Sequence, residues 1–264
     1  MAADQFVYLH GQPGSPVELT LARPDGWTAA ATLFAPDRAL DRPDLALEPY
    51  LDHLAASILR RYPEGPIRLV GFSLGGYVAT EIALRLAERG RGDDLNLDLI
   101  STAAPLGYGD FLPHMAGGRV FALARAQPWL FNLMTRVQGG LAALAPKTLF
   151  GQIFAGAAGA DAELALDPAF QASLQRIIAH SLAKGARGYR RDIGGYVVQT
   201  PELLVTLRAP ITLWCGEADT WAPSGMSHAI AEARPESRRV RSIPGHSHYS
   251  TLTVALPEIF RDLA

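Results

Sequence analysis

Short runs rich in β-branched and aromatic residues alternate along this chain with longer stretches whose apolar residues recur every three to four positions. That alternation commits the chain to an α/β architecture, a mostly parallel sheet with helices on both faces. About six strands are predicted, over residues 6–9, 28–34, 67–72, 97–103, 211–215 and 239–243. Between them, Leu47, Leu51, Leu54, Ala55, Ile58 and Leu59 mark one amphipathic helix over 47–61, which the Pro63-Glu64-Gly65-Pro66 run stops. A second helix is predicted over 74–89 with Val78, Ile82 and Leu86 buried, and Gly90 stands where it should end.

The alternation breaks between the fourth and fifth strands. Residues 106–210 read as helix after helix, rich in Ala, Leu and Phe, so we expect a helical cap inserted into a core made of residues 1–105 and 211–264. A chain of 264 residues suffices for one α/β domain carrying such an insertion. Most of the cap's aromatic and Met residues are expected in its own core, with some apolar surface turned toward a site at the sheet edge.

Charge and cysteine usage exclude several function classes. A net charge of −2, with arginines scattered among small and apolar residues, gives no electrostatic reason to expect nucleic acid. The single cysteine, Cys215, rules out an internal disulfide and a Cys-based zinc site; it is expected to be a small buried hydrophobe. The first residues lack a basic, long apolar leader, and the apolar stretch near 120–160 is interrupted by Arg125, Pro128, Arg136, Pro146 and Lys147. A cytoplasmic protein with no membrane association is the expectation.

Chemistry enters where the third strand meets the second helix. Gly71-Phe-Ser73-Leu-Gly75 is a G-x-S-x-G string, and its context matters more than its letters: a strand turning sharply into a helix leaves no room for a Cβ beside the central serine and projects its hydroxyl from the sheet edge. After the fifth strand come Glu217 and Asp219, and after the sixth His246 and His248. Serine, acid and histidine thus follow strand ends in that order, and strand ends of a parallel sheet lie on one edge. A serine hydroxyl is a poor nucleophile until an imidazole takes its proton, and the imidazole needs a carboxylate on its other nitrogen to fix its tautomer.

At the end of the first strand stands His10-Gly11-Gln12-Pro13-Gly14. With Ala35-Pro36-Asp37-Arg38, the elbow at 71–76 and the acid loop at 213–223, it makes the chain resemble the α/β-hydrolase superfamily over most of its length, in particular capped soluble bacterial esterases and prolyl aminopeptidase-like enzymes. The resemblance implies Ser73 as nucleophile, Asp219 as acid, His248 as base, and the backbone N–H groups of Gln12 and Leu74 as an oxyanion hole. His248 fits the family's Pro-Gly-x-Gly-His better than His246, although Ser247 stands where glycine is usual. His10 is expected to brace its loop, with His10, His246 and Trp221 as possible substrate contacts. The Gln12 side chain is expected to face substrate or solvent, and Asp192 with Arg187, Arg190 and Arg191 to be helix-surface or structural charges. Relatives carry antiparallel strands at the first edge for which this chain has no residues, so a smaller sheet is expected.

The reading that results is a serine hydrolase cleaving an ester or related acyl bond of a small, partly apolar substrate through an acyl-enzyme. It requires no cofactor and no metal, and acts as a monomer or small homo-oligomer. C–C, amide or lactone hydrolysis on the same triad and a non-catalytic ligand-binding protein are the alternatives.

Overall fold

The computed structural model describes residues 5–23, 32–200, 204, 206–234 and 238–261. Six strands, β1 (Gln5–Leu9), β2 (Leu33–Phe34), β3 (Ile67–Phe72), β4 (Leu95–Ile100), β5 (Ile211–Gly216) and β6 (Arg238–Ile243), form one sheet in the order β2-β1-β3-β4-β5-β6. Every pairing among them is parallel, with Leu9 opposite Gly71, Leu99 opposite Leu213 and Gly216 opposite Ile243. Central strands covered on both faces are almost continuously apolar and buried, as Ile67-Arg-Leu-Val-Gly-Phe72 is in β3.

Helices cover both faces. The short α1 (Leu19–Ala22) packs on α11 (His248–Ile259), while α2 (Leu47–Arg61) packs on α3 (Leu74–Leu86) and α10 (Ser224–Ala233) lies against β5 and β6. In α2 the stripe Tyr50, Leu51, Leu54, Ala55 and Ile58 is buried, and each such aliphatic side chain contributes roughly 1.5–3 kcal/mol. Between β4 and β5 the chain forms α4 (Gly118–Ala126), α5 (Pro128–Leu144), α6 (Pro146–Phe154), α7 (Ala160–Leu164), α8 (Pro168–Ser181) and α9 (Arg187–Tyr196). Contact with the rest of the molecule includes α9 on α3 and α2, and α7 on α11. Among the described residues no helix is long and apolar enough to cross a membrane.

Three expectations need adjustment. The second strand is Leu33–Phe34 within the described residues, and positions 28–31 of the expected run lie outside them. The fourth strand runs over Leu95–Ile100 rather than 97–103, because Ser101 takes a left-handed φ of 44° and turns the chain out of the ladder. The helix after the elbow is α-helical over Leu74–Leu86 and then widens into a π turn over Ala87–Arg91, closed by Gly90 at φ 83°.

Candidate active site

All six strands point the same way, so the segments following β1, β3, β5 and β6 emerge on one edge of the sheet. Ser73 sits between β3 and α3 with φ 55° and ψ −124°, a left-handed conformation that costs a non-glycine residue on the order of 1–3 kcal/mol. The flanking glycines make the turn possible. A Cβ on Gly71 would stand 2.6 Å from the Gly75 carbonyl oxygen, and one on Gly75 would collide with the Leu9 carbonyl.

Asp219, after β5, and His248, after the neighbouring β6, meet at the same edge. The His248 Nδ1–H donates to Asp219 Oδ2 at 2.9 Å, and both side chains are buried. The other carboxylate oxygen, Oδ1, accepts the backbone N–H groups of Trp221 (2.8 Å) and Ala222 (2.9 Å), which locks the carboxylate in its own turn. Glu217, the rival acid, is exposed. Burial opposes charging the His248 ring, but the charge and hydrogen bond of Asp219, helped by the charges of Asp161 and Glu18, hold its pKa above the ordinary value. With Nδ1 engaged, Nε2 is left to exchange protons. No hydrogen bond joins it to the Ser73 hydroxyl among the described residues, and such bonds commonly tighten only when substrate is bound.

Ser73 and His248 line one cavity of about 70 Å³. Gly11, Gln12 and Leu74 form part of its rim, and Val120, Phe121, Ile178 and Ile193 from the helices between β4 and β5 form much of its apolar wall. Leu74 is the first residue of α3, so its N–H has no partner in the helix ladder. Trp221 lines the cavity as well. His246 does not; its Nδ1 lies 3.0 Å from the Pro244 carbonyl at the surface.

The loop after β1 is braced more heavily than its sequence suggests. His10 is fully buried and absent from the cavity wall, and it braces its loop: its Nδ1–H donates to the Gly11 carbonyl (2.8 Å) and its Nε2 accepts the Arg38 N–H (3.1 Å). Burial, reinforced by the Arg38 charge, holds this imidazole well below the usual histidine range and therefore neutral. The Gln12 side chain, half-buried at the cavity rim, is tied to the helices between β4 and β5. Its Nε2 donates to Asp192 Oδ2 (2.8 Å) and its Oε1 accepts from the Ser181 hydroxyl (2.9 Å).

Asp192 is a buried structural charge. It also receives Arg38 Nη1 at 2.6 Å, while a second guanidinium nitrogen of Arg38 donates to the His10 carbonyl. Arg191 closes the network by donating to the Arg38 carbonyl (2.8 Å) and stacking over Tyr50. On the loop's other side, Glu18 Oε2 accepts the Gly11 N–H and the Tyr8 hydroxyl, each at 2.9 Å. Burial pushes the Glu18 carboxyl up to about 7. Sequence reasoning missed Glu18 and Asp161, a buried acid discussed below, because no motif announces their partners, backbone amides and, for Glu18, also the Tyr8 hydroxyl.

Among the described residues no group of three His, Cys, Asp or Glu side chains is placed to hold a metal ion. The family model of the Thioesterase domain matches residues 25–107. No protein of curated function matches the sequence. A thermophilic esterase from Thermogutta terrifontis is 20% identical, with all of this chain and 91% of that one covered at a TM-score of 0.61. Est816, an N-acyl homoserine lactone degrading enzyme, is 17% identical over all of this chain and 92% of its own, at 0.62. MGS-M2, an α/β-hydrolase enzyme from a Medee basin deep-sea metagenome library, is 12% identical over all of this chain and 88% of its own, at 0.65. Sheet order, the strained strand-to-helix turn at Ser73 and whole-length structural likeness agree: the chain has the fold of the α/β-hydrolase superfamily.

Proposed function

We propose that the protein is a serine hydrolase that cleaves an ester or thioester of a small, apolar acyl group. Ser73 attacks the carbonyl carbon while His248 Nε2 takes its proton, and the carbonyl oxygen becomes an oxyanion facing the N–H groups of Gln12 and Leu74. Collapse of this intermediate returns the proton from His248 to the leaving alkoxide or thiolate and leaves Ser73 acylated. Water, deprotonated by the same imidazole, then releases the acid and restores the hydroxyl. Asp219 keeps Nδ1 protonated throughout.

One observation carries this reading. His248, held from behind by the buried Asp219 carboxylate, and Ser73 in its strained turn line a single, mostly apolar cavity although they stand far apart in the chain. The cavity is small, about 70 Å³, and walled by Val120, Phe121 and Ile178, which favours short acyl chains over long ones. Residues 106–210 act in this reading as a cap, since their Val120, Phe121 and Ile178 supply wall to the cavity that Ser73 enters. The thioester is included because the elbow falls inside the segment matched by the Thioesterase domain model.

Pre-steady-state hydrolysis of p-nitrophenyl butyrate and of a butyryl thioester tests it. A burst of product close to one per active site is expected, and Ser73→Ala abolishes it. Hydrolysis that survives Ser73→Ala would overturn the proposal.

A further inference from the structure

Part of what holds the start of the His248 helix in place comes from the helical segment between β4 and β5. The loop after β6 delivers His248 as the first residue of α11, whose opening amides have no partners within the helix. Ser247 and Ser250 cap each other there, and the amides of Tyr249 and Ser250 also reach a carboxylate outside the helix. Tyr249 N–H donates to Asp161 Oδ2 at 3.0 Å and Ser250 N–H donates to Asp161 Oδ1 at 2.7 Å. Asp161 lies in α7, almost 90 residues away, and only 2% of its surface is exposed.

Two further contacts make this a grip rather than a touch. The Ala160 N–H donates to the Gly245 carbonyl at 2.9 Å, so α7 holds the histidine loop at both of its ends. The Tyr249 ring packs among Phe154 of α6 and Phe170 of α8, with centroids 5.7 and 5.8 Å away.

We propose that Asp161 is a positioning residue for the reaction, a carboxylate supplied by the helical insertion that fixes the start of α11 and thereby aims the His248 ring at Ser73. The assignment rests on the serine-hydrolase reading above. Geometry sets the expectation: a shift of about 1 Å in a reacting group costs on the order of 10²-fold in rate. Charge adds a separate signature. Among the described residues the acids that act on His248 are Asp219 from the turn after β5, Asp161 from α7 and Glu18 from the turn after β1, and all three favour the protonated ring, while Tyr249, whose ring packs 5.5 Å from it, is kept neutral by burial. Removing the Asp161 charge therefore lets His248 lose its proton at lower pH.

The test is the rate at which a fluorophosphonate phosphonylates Ser73 between pH 5 and 9, which needs only the serine and its base. Asp161→Ala is expected to slow the reaction about 100-fold. Asp161→Asn, which keeps one acceptor oxygen and the side-chain shape, is expected to fall between the two, and in both variants the acid limb of the profile moves to lower pH. Circular dichroism confirms folding, and Asp161→Asn carries the test if the alanine variant does not fold. A wild-type rate, or a slower rate with an unmoved limb, in folded Asp161→Asn would overturn the assignment. If wild-type protein is not labelled at all, the serine-hydrolase reading is what has failed.

Discussion

The His248 imidazole and the Asp219 carboxylate are joined by a 2.9 Å hydrogen bond with both side chains shut away from water. A buried carboxylate on Nδ1 selects the tautomer that leaves Nε2 basic. Asp219→Asn keeps the shape and reverses that choice, so kcat/KM should fall by about 10⁴. The acid limb of the pH profile should also move down, because the neutral ring is the working form and Asp219 is what raises its pKa. Steady-state hydrolysis of p-nitrophenyl butyrate across pH checks both, and an Asn variant within tenfold of wild type would contradict the assignment.

Glu18 makes the fold's stability depend on pH. Its carboxyl titrates at about 7 in the folded chain, above its ordinary 4.5, because burial disfavours the charge. The folded state therefore holds the proton more tightly than the unfolded one. Its contribution is fully present below about pH 4.5, declines as pH rises, and is gone above about pH 7, a change on the order of 3 kcal/mol. Glu18→Gln removes that dependence. Urea unfolding should show the variant gaining on wild type from pH 5 to pH 8, and a constant difference would refute the account.

Arg38 and Asp192 form an ion pair with neither partner more than 1% exposed. Removing one leaves the other's charge buried, so Arg38→Met and Asp192→Leu should each cost about 3–5 kcal/mol. Together they should cost much less than the sum of the two. Denaturant midpoints for the four proteins of the cycle provide the measurement, and strict additivity would show that the pair is not coupled.

These cases mark where the sequence was legible and where it was not. The α2 stripe and the parallel strands are local patterns, so their positions could be read closely; Leu47–Arg61 forms as the periodicity predicts. The order Ser73, Asp219, His248 was legible because strand ends share an edge. Arg38 with Asp192 and Asp161 with Tyr249 were not, since each pair is formed across 88 residues or more and either partner alone looks like a surface charge. The Gln12 side chain was missed for the same reason: Ser181 and Asp192, which hold it, come from separate helices. The fourth strand was placed too late because the left-handed turn at Ser101 involves no residue type that marks one.

Acyl-chain preference follows from the cavity wall. Val120 lines the space that the acyl group would enter, and Val120→Phe fills part of it. A methylene is worth about 1–3 kcal/mol of discrimination in an apolar pocket, so the kcat/KM ratio of p-nitrophenyl butyrate to acetate should drop by roughly tenfold or more. An unchanged ratio in folded variant would place the acyl group elsewhere.

The central claim concerns the hydroxyl of Ser73, and peptide mapping after exposure of the folded protein to a fluorophosphonate reaches it most directly. The account predicts one adduct per chain, carried by the peptide containing Ser73 and missing from Ser73→Ala. No adduct, or one borne by a different residue, would contradict it.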